Sequence, residues 1–164
     1  MPNDPLTPEI RTLPQTLLVG HYLEMNVLSD RTRELWMGFG PQIKQIAHRA
    51  NPNRYSLEVY PDPDYFNDFD PNKKFQKWAA VAVTRAEDLP VGIEVLDLTE
   101  GQYAVFTYRQ RMAPPQEFYR RIYMEWLPQS GLKLAHRPHI AIMGPEYDPT
   151  DPDSDETLWI PVQA

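Results

Sequence analysis

The residues best placed to do chemistry are two glutamates and the aromatic side chains around them. Glu58 lies in Ser56-Leu57-Glu58-Val59-Tyr60, an alternating run. Strand side chains alternate faces with period two, so Leu57 and Val59 share one face and Ser56, Glu58 and Tyr60 the other. The run His139-Ile140-Ala141-Ile142-Met143 divides in the same way. Ile140 and Ile142 form the core face, and His139, Ala141 and Met143 the opposite one. A carboxylate on such a face can receive a cationic ligand or act as a general base. It is equally well read as a solvated strand residue, since exposed faces of antiparallel strands are polar. Glu125 is the second acid. Helical spacing puts Phe118, Tyr119, Ile122, Tyr123 and Trp126 on one apolar arc, with Glu125 at its edge. From there it reaches a groove, or forms a surface pair with Arg121 at i,i+4, contributing about 0.3–0.5 kcal/mol.

The aromatic residues offer a second chemistry, stacking and cation–π contact. Trp36, Trp78, Trp126 and Trp159, with nine tyrosines including Tyr60 and Tyr108, suit an aromatic ligand pocket. Each tryptophan also fits ordinary core packing. Trp78 shares a strand face with Ala80 and Ala82, and Trp159 with Thr157, so these two have the most space beside them.

Other chemistries lack their residues. His136 and His139 are three apart at a strand entrance, where two imidazoles do not converge on one ion. Asp148, Asp151, Asp153 and Asp155 resemble a calcium loop only in composition. Counted from Asp151, the sixth residue is Glu156 instead of glycine and the twelfth is Val162 instead of glutamate. No phosphate loop, activated serine motif or cysteine is present. No metal or other cofactor is expected. Net charge −7, with no basic cluster longer than Lys73-Lys74 or Arg120-Arg121, argues against direct nucleic-acid binding. No apolar run approaches the roughly 20 residues of a membrane span, and the N-terminus is not a signal peptide. The absence of cysteine is compatible with a cytoplasmic location.

The elements that must position these residues come in two similar sets. The 164 residues suit one domain. Residues 1–13, with Pro2, Pro5 and Pro8, read as a mobile Pro-rich tail before a single domain over 14–164. In the first set, Thr16 to Met25 reads as a strand. Ser29 can cap a helix carrying Leu35, Phe39, Ile43 and Ile46 on one face, with a kink at Pro41. Tyr55–Tyr60 and Lys77–Thr84 follow as strands, with a long aromatic loop between them. A linking strand over Gly92–Leu98 leads to the second set: a strand over Gln102–Arg109, a helix from Pro114-Pro115 stopped by Pro128, and strands over Arg137–Met143 and Thr157–Val162. Two strand-helix-strand-strand units predict an α+β fold, with antiparallel sheet, helices on one side and a ligand groove between the halves. Leu57, Val59, Ile140 and Ile142 are expected beneath the helices.

Four words in this order, Gly101-Gln-Tyr-Ala-Val-Phe-Thr-Tyr108, Ile122-Tyr-Met-Glu-Trp-Leu-Pro-Gln-Ser-Gly131, Arg137-Pro-His-Ile-Ala-Ile-Met-Gly144 and Glu156-Thr-Leu-Trp-Ile-Pro-Val162, resemble the GyrI-like effector-binding family. The resemblance spans Leu17 to Val162. It implies a duplicated small-molecule-binding domain related to bacterial transcription regulators that sense drug-like compounds. The family usually carries glutamate where this chain has Ala141, Ala82 and Thr157. Without those acids the resemblance implies a groove for a small apolar or aromatic ligand more than for a cation. With no segment left for a helix-turn-helix, a stand-alone binder or sequestering protein is expected. The alternatives are a hydrolase using Glu58 or Glu125, and a protein-interaction module acting on a topoisomerase-like partner.

Overall fold

The computed structural model describes residues 6–67 and 70–164. Its strands are β1 (Glu9–Leu13), β2 (Thr16–Met25), β3 (Arg54–Val59), β4 (Phe75–Ala82), β5 (Glu94–Leu98), β6 (Gly101–Tyr108), β7 (Lys133–Leu134), β8 (His139–Met143) and β9 (Glu156–Gln163). All pairings are antiparallel, in the order β1-β6-β9-β8-β3-β4-β2-β5, with β7 added to β9. The order is the same read from either end in terms of the two units. Each contributes its first, third and second strand, and the second strands, β3 and β8, meet in the middle.

The outer strands tie the two ends of the sheet together. β1 pairs with β6 from Glu9↔Val105 to Leu13↔Gly101, and β2 pairs with β5 from Thr16↔Leu98 to Gly20↔Glu94. The register is unbroken across Pro14 and Gln15, so β1–β2 and β5–β6 form one long ribbon. The sheet therefore curls until its ends share that ribbon. Residues 9–13 are not the tail that their composition suggests. Their backbone groups find partners on β6, which an exposed edge otherwise leaves unpaired. Residues 1–5 lie outside the described residues.

The curl encloses one core. Leu18, Tyr55, Leu57, Trp78, Leu98, Tyr103, Ile140 and Trp159 pack together inside it. The helices lie on the other face. Helix α1 (Thr32–Phe39) packs Leu35 and Phe39 on Val19, Ala79 and Val81. Helix α2 (Pro115–Arg121) packs Phe118 on Ala104, Phe106 and Leu158. The face alternation expected for β3 and β8 holds, but Leu57 and Ile140 are buried away from the helices, not beneath them. A strongly curled sheet fills its concave face with its own side chains, and the helices take the convex one.

Two helix ends also differ from expectation. Ser29 is not the cap of α1; Asp30 Oδ1 accepts the Thr32 N–H at 2.9 Å just ahead of the helix. Pro128 does not stop the second helix. Through Ile122–Trp126 the helix widens to a π turn, with the Leu127 N–H bonding to Ile122 O, and continues as α3 (Leu127–Ser130). The wider turn accommodates a residue that has no N–H to give. The helix ends at Gly131, whose φ of 79° favours a residue without Cβ. Past α1 the chain takes a 3-10 turn over Gly40–Gln45, the change of path expected at Pro41. No helix among the described residues is long and apolar enough to cross a membrane.

Candidate functional site

The helix-side surface of β3 and β8 carries Ser56, Glu58, His139 and Ala141, with Tyr60 just past the end of β3. The register places Ser56 beside Ala141 and Glu58 beside His139. On the other flank Glu58 pairs with Lys77 of β4. Two residues apart on one strand and directly across to the next, these side chains share one patch by geometry alone.

Glu58 is committed on both oxygens. Lys77 Nζ donates to Oε1 at 3.2 Å, and the Tyr60 hydroxyl donates a short hydrogen bond to Oε2. The ion pair is largely covered, with side-chain exposures of 16% for Lys77 and 22% for Glu58. Burial alone pushes the Glu58 carboxyl up, but Lys77, the Tyr60 hydroxyl and nearby His139 together outweigh it and hold it below the ordinary range. Tyr60 moves the other way: burial, then the Glu58 charge, keep its hydroxyl protonated well above the usual pKa.

His139 is the one buried polar or charged residue among those described, at 5% exposure. Its Nδ1 lies 2.7 Å from the Tyr123 hydroxyl. Burial lowers its pKa to about 4, partly opposed by Glu58 and reinforced by His136, so the ring is neutral at neutral pH. Aromatic rings close over it. Phe66 lies 5.4 Å from His139, 5.3 Å from Tyr123 and 4.8 Å from Tyr60 between ring centroids, and Tyr60 meets His139 edge-on at 5.0 Å. Tyr119 stacks beside Tyr123 at 6.2 Å. A recess of about 150 Å³ opens at this end of the patch, bordered by Tyr60, Phe66, Ala135, Arg137, His139 and Gln163.

At the other margin, Glu156 shares the helix-side face with Leu158 and stands opposite Tyr108. Burial raises its pKa, with Lys77 opposing. It makes no ion pair or side-chain hydrogen bond among the described residues. Its charge reaches Tyr108, Tyr119 and Tyr147, whose hydroxyls are held above their usual pKa chiefly by burial.

Of the residues singled out in the sequence, Glu58, Tyr60, His139 and Ala141 come together, with Met143 following on β8. The tryptophans do not join them. Trp78 and Trp159 are 4% and 9% exposed in the core on the opposite face. Their Nε1 groups bond to Gln76 and Thr157 two residues back, at 3.1 and 3.0 Å, the same arrangement in each half. Trp36 packs with Phe39 on α1, and Trp126 meets Phe106 edge-on at 5.2 Å. The Tyr108 hydroxyl donates to Ala113 O at 2.6 Å. Glu125 is half exposed and pairs with Arg121 at 3.1 Å. Lys77, Phe66, Tyr119, Tyr123 and Glu156 join the patch without having been singled out. Strand register, which brings Lys77 across from Glu58, is not readable from one strand at a time. The aromatic density of the loop carrying Phe66 was the available signal.

The word Arg137-Pro-His has a structural role. The Arg137 guanidinium lies over the Tyr103 ring at 5.1 Å and donates to the carbonyls of Gln102, in a short bond, and of Val162. Gly101, lacking a Cβ, leaves space for that guanidinium. Tyr103 in turn donates to Pro138 O at 3.3 Å. This clamp fixes the entry to β8 and hence the seat of His139.

Against known proteins, the model of the GyrI-like small molecule binding domain matches residues 6–163. No curated protein matches the chain. Solved structures share the fold, among them the following three. SAV2435 bound to tetraphenylphosphonium is 14% identical with a TM-score of 0.63, covering 96% of this chain and 94% of its own. The EcmrR C-terminal domain is 13% identical at a TM-score of 0.65, covering 94% and 96%. A hydrolase encoded by lin2189 from Listeria innocua is 12% identical at 0.60, covering 96% and 92%.

Proposed function

The chain belongs to the GyrI-like small-molecule-binding family, and on that premise we propose that it binds a small, neutral, aromatic or apolar molecule on the helix-side surface of β3 and β8. The observation that carries the charge preference is the commitment of Glu58. Both its oxygens are used, one by Lys77 and one by Tyr60, and the pair is neutral as a unit. Its counterpart in the second half is apolar. The core pairs Leu57↔Trp78 and Ile140↔Trp159 set Ala141 and Leu158 where Glu58 and Lys77 stand. A cation over β3 and β8 loses hydration beside a carboxylate already paired, the unpaired Glu156 standing only at the other margin, whereas a neutral ring gains stacking against Phe66, Tyr119 and Tyr123. Drug-sized ligands fill cavities of roughly 300–1,000 Å³, more than the recess of about 150 Å³. The Phe66 side chain, 37% exposed and placed over His139, must swing aside to admit one. The reading is of a cytoplasmic binder rather than an enzyme.

The test is calorimetric titration with an isosteric pair, neutral tert-butylnaphthalene and cationic naphthyltrimethylammonium. The parent protein is expected to prefer the neutral member, and Ala141→Glu to gain about 1.5–3 kcal/mol for the cation, the typical value of a hydrogen bond to a charged group. Tight binding of the cation by the parent, unchanged in Ala141→Glu and abolished in Glu156→Gln, would refute the preference and move the ligand's charge to the other margin.

A further inference from the structure

We propose that the recess beside His139 is a hydrogen-bond-donating subsite for a ligand oxygen, so that the molecules bound are neutral aromatic carbonyl compounds in preference to bare hydrocarbons. This rests on the helix-side patch being the binding surface. The Tyr123 hydroxyl has no other acceptor among the described residues, so its proton goes to His139 Nδ1 at 2.7 Å. In a neutral imidazole the remaining proton is then on Nε2. Burial keeps the ring neutral, with a pKa of about 4.

The Nε2–H has no protein acceptor among the described residues, and His139 borders the recess. Nε2 is not wholly covered, so a ligand oxygen there takes the place of water and gains the net effect of one neutral hydrogen bond. The other polar groups around the recess do not compete for it. Arg137 gives Nη2 to the Gln102 and Val162 carbonyls and lies over the Tyr103 ring, while its Nε, which has no hydrogen-bond partner among the described residues, is wholly covered and does not face the recess. Asp62 borders the recess and disfavours an anionic ligand group. The volume admits an acetyl substituent. About 150 Å³ is roughly five times the volume per water molecule in the liquid, and a cavity of that size holds at most a single small ring such as benzene. The aromatic body of such a ligand then lies against Phe66 and Tyr123.

The test compares acetylnaphthalene with ethylnaphthalene, nearly equal in shape and different in one oxygen. Binding is measured by calorimetry, and the His139 ring nitrogens are followed by NMR. The acetyl compound is expected to bind about three- to tenfold tighter, the effect of one neutral hydrogen bond, and to shift the Nε2 resonance while ethylnaphthalene does not. His139→Gln, whose side-chain N–H₂ takes the place of Nε2–H, keeps the preference. His139→Phe loses it. If His139→Phe does not fold, the Nε2 shift in the unaltered protein decides alone. Equal binding of the two compounds, an unmoved Nε2 resonance or a preference surviving in folded His139→Phe overturns the subsite and leaves the binding surface standing. Failure of both compounds to perturb any residue of the patch overturns the subsite and the binding surface together.

Discussion

Replacing Lys77 by leucine strands the Glu58 carboxylate in a largely covered site, and the expected cost follows from what remains around it. Breaking a fully buried pair by removing one partner costs about 3–5 kcal/mol. Here the exposures of 16% and 22% admit some solvent, and the Tyr60 hydroxyl still donates to the carboxylate. The loss at neutral pH is therefore expected at about 2–3 kcal/mol, which for a domain of this size lowers Tm by roughly 5–10 °C. The pH dependence supplies a sign. In the parent the folded Glu58 pKa lies below its ordinary value, so the pair's contribution is full above the unfolded pKa and is lost as pH falls through the folded one. In Lys77→Leu, burial acts with its main opposing charge gone and the folded pKa rises above the ordinary value. The penalty is then present at neutral pH and fades on acidification, as the carboxyl is protonated in the native state first. The second half shows what cures the defect, since Ala141 faces Leu158 in the matching register. Glu58→Ala combined with Lys77→Leu should restore stability to within about 1 kcal/mol of the parent, as apolar replacements of buried pairs do. The assay is urea unfolding of the parent, both single variants and the double at about pH 7 and pH 4.5, with the coupling energy taken from the cycle. A cost below about 0.5 kcal/mol for Lys77→Leu, equal at both pH values, would place the pair in solvent and refute the reasoning.

Three further outcomes are expected. Because the His139 pKa is depressed to about 4 by burial, the unfolded chain takes up a proton that the native one refuses. Stability should fall as pH drops from about 6.5 to 4, by an amount on the order of 3 kcal/mol, and His139→Gln should flatten the proton-linked change in urea-unfolding free energy over that window. Trp78 and Trp159 are buried on the face away from the patch, so Trp78→Phe and Trp159→Phe should cost stability but leave calorimetric affinity for tert-butylnaphthalene within about twofold, below the effect of one hydrogen bond. Glu125 and Arg121 are surface partners, so Glu125→Gln should change unfolding free energy by less than about 0.5 kcal/mol and leave that affinity unaltered.

The sequence carried the element order, because strand alternation and helix spacing are local patterns. Leu57, Val59, Ile140 and Ile142 alternate as core residues must, and Leu35, Phe39 and Ile43 recur at helical intervals. What it did not carry was which side the helices take. That follows from the curl of the sheet, a property of all its pairings together. The same holds for residues 9–13, whose three preceding prolines look like a tail but whose partner strand begins near residue 101. At the site, Glu58, Tyr60 and His139 were legible because each lies on the polar face of its own strand. Lys77 was not, because its strand reads as Trp78, Ala80 and Ala82 on one face with Ala79 and Val81 on the other. Only the pairing register shows that the cation stands across from the acid.

The duplication explains why one carboxylate survives in a place where the other half has none. In the second half, Ala141 and Leu158 pack as a small and a large apolar side chain under α2, together with Phe118 and Ile122. The first half has no equivalent cover over Glu58. Its neighbours there are Tyr60, Lys77 and the aromatic loop, with α1 seated further along on Ala79 and Val81. A side chain at this position must therefore either be capped by a helix or satisfied by polar partners. One half takes each course. The consequence for recognition is an asymmetric floor, with a neutralised ion pair on one side, an apolar step on the other, and His139 next to Glu58 across the strand boundary. On the proposed reading, a flat aromatic ligand with one acceptor oxygen meets both halves of such a floor at once. A symmetric cation over Ala141 and Leu158 loses hydration with only Glu156, at the margin of β9, to offset it.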